Sequence, residues 1–151
     1  MKIEEKSIVN APIQNTWDFL LNPEKLASCV PGCENVEVLD NNSYVVTEAI
    51  KVGPISARFK LQVTIVEMTP PNYLFATMTG KDSRTTSLLN AKTAINLERI
   101  SDSETQVDYI LDVALTGVLG KFGEGVMRRK ADDLAEKFAG NIRAGLKCST
   151  K

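Results

Sequence analysis

From Ile55 to Ile65 the chain alternates between apolar and polar residues. Ile55, Ala57, Phe59, Leu61, Val63 and Ile65 take every second place, with Ser56, Arg58, Lys60, Gln62 and Thr64 between them. A period of two puts one set on each face of an extended strand. Weaker versions of the pattern predict further strands at 2–9, 35–39, 44–52, 73–79, 89–97 and 107–115. Turn chemistry separates them: Asp40-Asn41-Asn42, Gly53-Pro54, Thr69-Pro70-Pro71-Asn72, a polar loop at 80–85 and Ser101-Asp102-Ser103.

Two stretches follow the 3.6-residue period instead. Near the N-terminus, Asn10-Ala11-Pro12 reads as a helix start with Asn10 near the cap, and Ile13, Trp17, Leu20 and Leu21 share one face. Asn22-Pro23 ends that helix and opens a second, short one, stopped by Pro31-Gly32. The other stretch is long and has no strand after it. Over 120–147, Phe122, Val126, Met127, Leu134, Phe138, Ile142 and Leu146 form an apolar stripe. Strands joined by short turns make an antiparallel meander. The predicted class is α+β: a meander, two short helices after its first strand, and a final helix across its concave face.

With 151 residues the chain fits one domain, expected over 1–147 with a frayed tail at 148–151. A hydrophobic content of 43% and a net charge of -1 suit a globular protein and give no basic surface for nucleic acid. No apolar run approaches the ~20 residues of a membrane-spanning helix. Met1-Lys2-Ile3-Glu4-Glu5 has no secretory pattern, so the expected compartment is the cytoplasm. Histidine is absent, which removes the commonest general base and metal ligand. Cys29 and Cys33 bracket Val30-Pro31-Gly32, and only Cys148 remains to join them, so no metal and no cofactor is expected. Both thiols are read as small hydrophobes near a turn.

The stretch 117–125 holds Gly117, Gly120, Gly123 and Gly125 between a strand and a helix. No Lys-Ser or Lys-Thr pair follows, and the spacing reverses the dinucleotide fingerprint. These glycines are read as a joint that lets the chain turn. In the run Met127-Arg128-Arg129-Lys130, Arg128 and Arg129 are expected to face solvent, with Asp132, Asp133 and Glu136 one turn on; a membrane or partner patch is the other reading of this run.

Several blocks resemble one family over essentially the whole chain. They are Ala11-Pro12 with Trp17-Asp18-Phe19-Leu20, Asn22-Pro23-Glu24-Lys25-Leu26-Ala27, Cys29-Val30-Pro31-Gly32-Cys33-Glu34, Lys51-Val52-Gly53-Pro54-Ile55, Asp112-Val113, and Gly117 leading into Leu119-Gly120. The chain is similar to the CoxG-like family, the G-subunit family of carbon monoxide dehydrogenase, within the START-like, or SRPBCC helix-grip, superfamily. The resemblance implies a curved seven-stranded antiparallel sheet around the C-terminal helix, with a hydrophobic cavity between them. It also implies a noncatalytic accessory role beside a molybdenum hydroxylase such as carbon monoxide dehydrogenase. That role would be to carry a quinone or lipid, or to recruit the enzyme to the inner face of a membrane by peripheral contact. Many members add a Pro-rich linker and a membrane segment, whereas this sequence stops at Lys151.

Small residues among large ones on the inward set, Ala57, Ala76, Ala91, Ala131, Ala135 and Gly123 beside Phe59, Leu61, Met127 and Phe138, fit such a cavity. Cavities of this kind hold about 300–1,000 Å3. The residues expected to meet a ligand are Phe59, Leu61, Ala76, Met78, Ala91, Thr93, Tyr109, Leu111, Val113, Phe122, Gly123, Met127, Ala131 and Leu134. Tyr109, Thr93 and Glu48 are the polar side chains that can turn inward; exposure, or simple satisfaction within the sheet, is the other reading for each. Two other readings stay open: a cyclase or hydrolase on the same scaffold, and a docking module whose core is filled by its own side chains.

Overall fold

All seven predicted strands are present, hydrogen-bonded in one antiparallel sheet. The computed structural model describes residues 1–82 and 84–149. In chain order the elements are β1 (Lys2–Val9), α1 (Ile13–Leu20), α2 (Pro23–Ser28), β2 (Cys33–Asp40), β3 (Ser43–Val52), β4 (Ile55–Thr69), β5 (Tyr73–Asp82), β6 (Leu88–Ser101), β7 (Glu104–Thr116) and α3 (Glu124–Ser149). A 3₁₀ turn at Leu119–Phe122 precedes α3. The sheet order is β1-β7-β6-β5-β4-β3-β2, so the first strand closes on the last and the rest form a meander.

The period-two pattern of β4 divides inside from outside as expected. Ala57, Phe59, Leu61 and Val63 are buried, while Ser56, Arg58, Lys60 and Gln62 are exposed. Through the register this inner face continues over Val46, Glu48 and Ile50 of β3 and over Ala76 and Met78 of β5. It goes on across Ala91 and Thr93 of β6 to Leu111 and Val113 of β7.

Three packed groups hold the helices to this face. Trp17 and Leu20 of α1 pack on Leu74 and Leu97, covering one end of the sheet. Phe138, Ile142 and Leu146 of α3 pack with Val9, Ala11, Phe19 and Cys29. At the other end Phe59, Leu61, Ala91 and Leu119 form a core against which Phe122 and Met127 rest. Asn141 Nδ2 donates to the Cys29 carbonyl at 2.9 Å, and Thr105 Oγ1 to the Ala11 carbonyl at 2.8 Å.

Several local expectations need correction. The 80–85 loop is strand as far as Asp82: Gly80 lies so close to β4 that a Cβ there would stand 1.9 Å from the Lys60 carbonyl oxygen. Only a residue without a side chain fits that approach. Asn10 does not cap α1; Pro12 holds the cap position and its carbonyl accepts from the Thr16 amide at 3.0 Å and hydroxyl at 3.1 Å. The last helix starts at Glu124 rather than 120, because Gly123, with φ 84°, separates it from the 3₁₀ turn. Val126 is 38% exposed: once Met127 faces the sheet, its neighbour is turned about 100° away. Helix continues through Ser149 of the expected tail, and residues 150–151 lie outside those described.

Candidate ligand-binding interior

The fourteen residues expected to meet a ligand divide by position. Phe59, Leu61, Met78, Ala91, Leu111, Val113, Phe122 and Met127 come together in one apolar group. Within it Phe59 is fully buried, so it is packing rather than an open wall. Ala76 and Thr93 are register partners on the same face, and Thr93 pairs in turn with Leu111. Tyr109 lies opposite Ile95 and Glu5. Ala131 and Leu134 lie on α3 between its two packed ends and belong to neither group. Gly123 does not belong with the rest: it is exposed, and a Cβ built on it meets nothing within 4 Å. It is a joint.

The centre of the inner face is a trough rather than a sealed chamber. Met78, Thr93, Tyr109, Leu111, Ala131 and Leu134 are each half-buried, although they sit on central strands or on the helix above them. Close packing would have buried them. Two recesses of defined volume lie elsewhere. One, of ≈430 Å3, is at the α2–α3 junction beside Lys25, Ser28 and Asn141. The other, of ≈450 Å3, is beside Asp18, Pro23 and Val38.

Polar groups enter this interior from two sides. Tyr109 has its hydroxyl pKa pushed up to about 12, by burial first and then by the Glu5 carboxylate in the pairing position on β1. Glu48 is more unusual. It is 7% exposed, and its inward neighbours on β3 and β4 are Val46, Ile50 and Phe59. Burial, reinforced by Glu34, raises its carboxyl pKa to about 8, and the Lys130 ammonium on α3 opposes the rise. Lys130 is the residue that sequence reasoning misses. Sequence reasoning turns Arg128 and Arg129 to solvent and gives Lys130 no part in the interior, but Lys130 stands three places after Met127, is half-buried, and its charge acts on Glu48. Arg129 is exposed, and Arg128 donates to the Lys2 carbonyl at 3.0 Å.

The two described thiols are quiet. Burial raises the pKa of Cys29 and of Cys33, and Glu48 adds to the rise at Cys33. Among the described residues no three side chains of the metal-binding types stand together, and no helix is long and apolar enough to cross a membrane.

Comparison with known structures places this architecture. A conserved protein from Geobacillus kaustophilus superposes with a TM-score of 0.89 at 19% identity, covering 99% of this chain and 97% of that one. A START superfamily protein from Mycobacterium smegmatis gives 0.73 at 11% identity, with 97% of each chain covered. The Zhui aromatase/cyclase from Streptomyces sp. R1128 gives 0.64 at 15% identity, over 97% of this chain and 90% of that one. At these identities the likeness concerns the fold, which is START-like. No curated protein matches the chain. The family model for CoxG, the G-subunit of carbon monoxide dehydrogenase, matches residues 6–147. With nearly its whole length covered, the chain belongs to the CoxG family.

Proposed function

We propose that the protein is a noncatalytic accessory protein that holds an apolar ligand, a quinone or lipid, between its sheet and α3. It would serve a molybdenum-containing dehydrogenase such as carbon monoxide dehydrogenase. The observation that carries this reading is the half-buried trough between two well-packed ends. An apolar ligand body entering it would leave water at a gain of about 25 cal/mol per Å2 buried. The family membership supports the accessory role, and transient contact with the inner face of a membrane would supply such a ligand.

A cyclase or hydrolase reading has one support, the protonatable Glu48 in the interior. It lacks a second group within hydrogen-bonding reach of Glu48 to complete an acid–base pair among the described residues. The discriminating experiment is Ala131→Trp, which puts an indole into the centre of the trough. Binding of the neutral fluorescent probe N-phenyl-1-naphthylamine should fall more than tenfold while far-UV circular dichroism is unchanged. Loss of the fold in that variant would mean the space is packed core, and unchanged probe binding would place the ligand elsewhere.

A further inference from the structure

Among the described residues, charged side chains directly opposite one another across this sheet are of opposite sign, with one exception. Lys2 and Lys92 both stand opposite Asp112, and Lys6 stands opposite Asp108. Lys60 of β4, however, stands opposite Lys81 of β5, and both are exposed. Like charges at directly opposite positions work against folding. No carboxylate in the same row offsets them: Thr47 pairs with Lys60 on one side, and Leu88 and then Thr116 continue beyond Lys81 on the other. Leu88 is 46% exposed. Two lysines and an apolar side chain therefore lie side by side on the outer face.

The row runs across the end of the sheet where three connections meet. The Leu119 amide donates to Ser87 Oγ at 3.2 Å, and a Cβ built on Gly53 would lie 3.7 Å from Phe122 Cε1. Lys51, Arg84 and Lys121 stand on these connections or at their edge, exposed and without an ion pair among the described residues. The carboxylates nearby are engaged. Glu34 is held by Arg58 through bonds of 2.5 and 3.1 Å. Asp82 accepts from the Arg58 amide at 2.8 Å and from the Thr85 amide and hydroxyl, both at 2.6 Å. The next carboxylate in the chain, Glu124, begins α3. The opposite end of the sheet has the other sign: its turns carry Asp40, Asp102 and Glu104. Exposed Val66, Met68 and Ile100 lie toward that end, but beside Glu67 and Asp102. Free cations and an exposed apolar side chain coincide at one corner.

We propose that this corner, Lys51, Lys60, Lys81, Arg84 and Lys121 around Leu88, is the surface on which the protein docks to an anionic lipid bilayer. The inference rests on the reading above that the trough takes its apolar ligand from a membrane. Lysine and arginine side chains sit at the level of anionic headgroups, and a leucine among them can enter the boundary with the acyl chains. An unrelieved pair of lysines is stabilised once a negative surface lies against it. The corner also borders the joint at Gly123 from which α3 starts, so a bilayer held there lies beside the roof of the trough.

The test measures sedimentation of the full chain with sucrose-loaded vesicles of phosphatidylcholine, alone or with about 30% phosphatidylglycerol. The anionic vesicles should bind at least about tenfold more tightly than the neutral ones, and the preference should vanish in about 0.5 M salt. Each lysine near an anionic surface contributes about fivefold in affinity, so Lys60→Gln with Lys81→Gln should weaken binding about thirtyfold. Leu88→Ser should weaken it about fivefold. The lysine pair variant should keep or raise the urea midpoint of the wild type, whereas lysines retained for structure would lower it on removal. A control with the same change in net charge takes lysines that face carboxylates: Lys6→Gln with Lys137→Gln, the latter 3.2 Å from Asp133, should stay within about twofold. Equal binding to both kinds of vesicle, or a control as weak as the corner variant, overturns the proposal. Binding to neither overturns it too, in favour of an acidic protein partner for the corner. N-phenyl-1-naphthylamine, added without vesicles, keeps the two readings apart. Vesicle failure with the probe still bound overturns the docking surface alone, and failure of the probe in the wild type overturns the ligand-binding reading. Should a variant fail to fold, hydrogen exchange of the wild type decides: anionic vesicles must protect residues 81–88 and 117–122, and protection elsewhere overturns the proposal.

Discussion

Replacing Glu48 with Gln should change how stability depends on pH, and the sign follows from the surroundings of the carboxyl. Folding raises its pKa from the ordinary 4.5 to about 8, chiefly through burial. For a group raised in this way, the stabilising contribution is fully present below the unfolded value. It is lost as pH rises toward 8, because the unfolded chain releases the proton first. The steepest possible loss is about 1.4 kcal/mol per pH unit, or roughly 3.4 kcal/mol between pH 5 and 7.5. The carboxyl oxygens keep some accessible surface and the Lys130 ammonium opposes the rise, so the ionised form is solvated in part, and a loss of about 2 kcal/mol is the expectation. Gln cannot ionise and should remove this slope. Glu34, Asp40 and Asp82 shift in the other direction, but they are common to both proteins and cancel in the difference. Urea unfolding at pH 5, 6.5 and 7.5, followed through the fluorescence of buried Trp17, measures the difference directly. Equal slopes in wild type and variant would refute the reasoning, as would a variant that is relatively weaker at pH 7.5 than at pH 5.

Two further outcomes test the packing and the thiols. Leu146→Ala should cost about 2–5 kcal/mol in urea unfolding, since Leu146 is 1% exposed against Phe19 and Cys29. Val126→Ala, on the exposed side of the same helix, should stay within about 0.5 kcal/mol, and a reversed order would mean that α3 is rotated about its axis. Iodoacetamide should modify Cys29 and Cys33 at pH 7.5 at least about tenfold more slowly than free cysteine, because burial holds both as thiols; rapid alkylation of either would revive a catalytic role.

The sheet is legible in the sequence because the alternation of β4 and β7 carries its own inside and outside, and the register copies that division onto neighbours with weaker patterns. What the sequence hides is set by approach between strands or by direction around a helix. Gly80 looks like a loop residue until β4 is beside it. Lys130 looks solvated because charge in the sequence says nothing of which side of α3 it occupies; its spacing of three from Met127 is the available signal. Glu48 is recognisable as an inward position, but its want of a partner depends on several elements meeting and cannot be read along one of them. The trough likewise depends on how far α3 stands from the sheet, which no apolar stripe encodes.

The pairing of β1 with β7 has a consequence for the order of assembly. Lys2 finds Asp112, so the earliest strand to leave the ribosome must wait for the last one before it can form a ladder. The meander from β2 to β7 is built from neighbours in sequence and can form in the meantime. The seat of α3, however, includes Val9 and Ala11, which arrive only with β1. The closing of the first strand therefore completes the seat on which the last helix rests, and a chain made only as far as β7 presents its apolar inner face without α3 over it. A chaperone, or a ligand already resting on that face, would act in this interval between the meander and the final clasp.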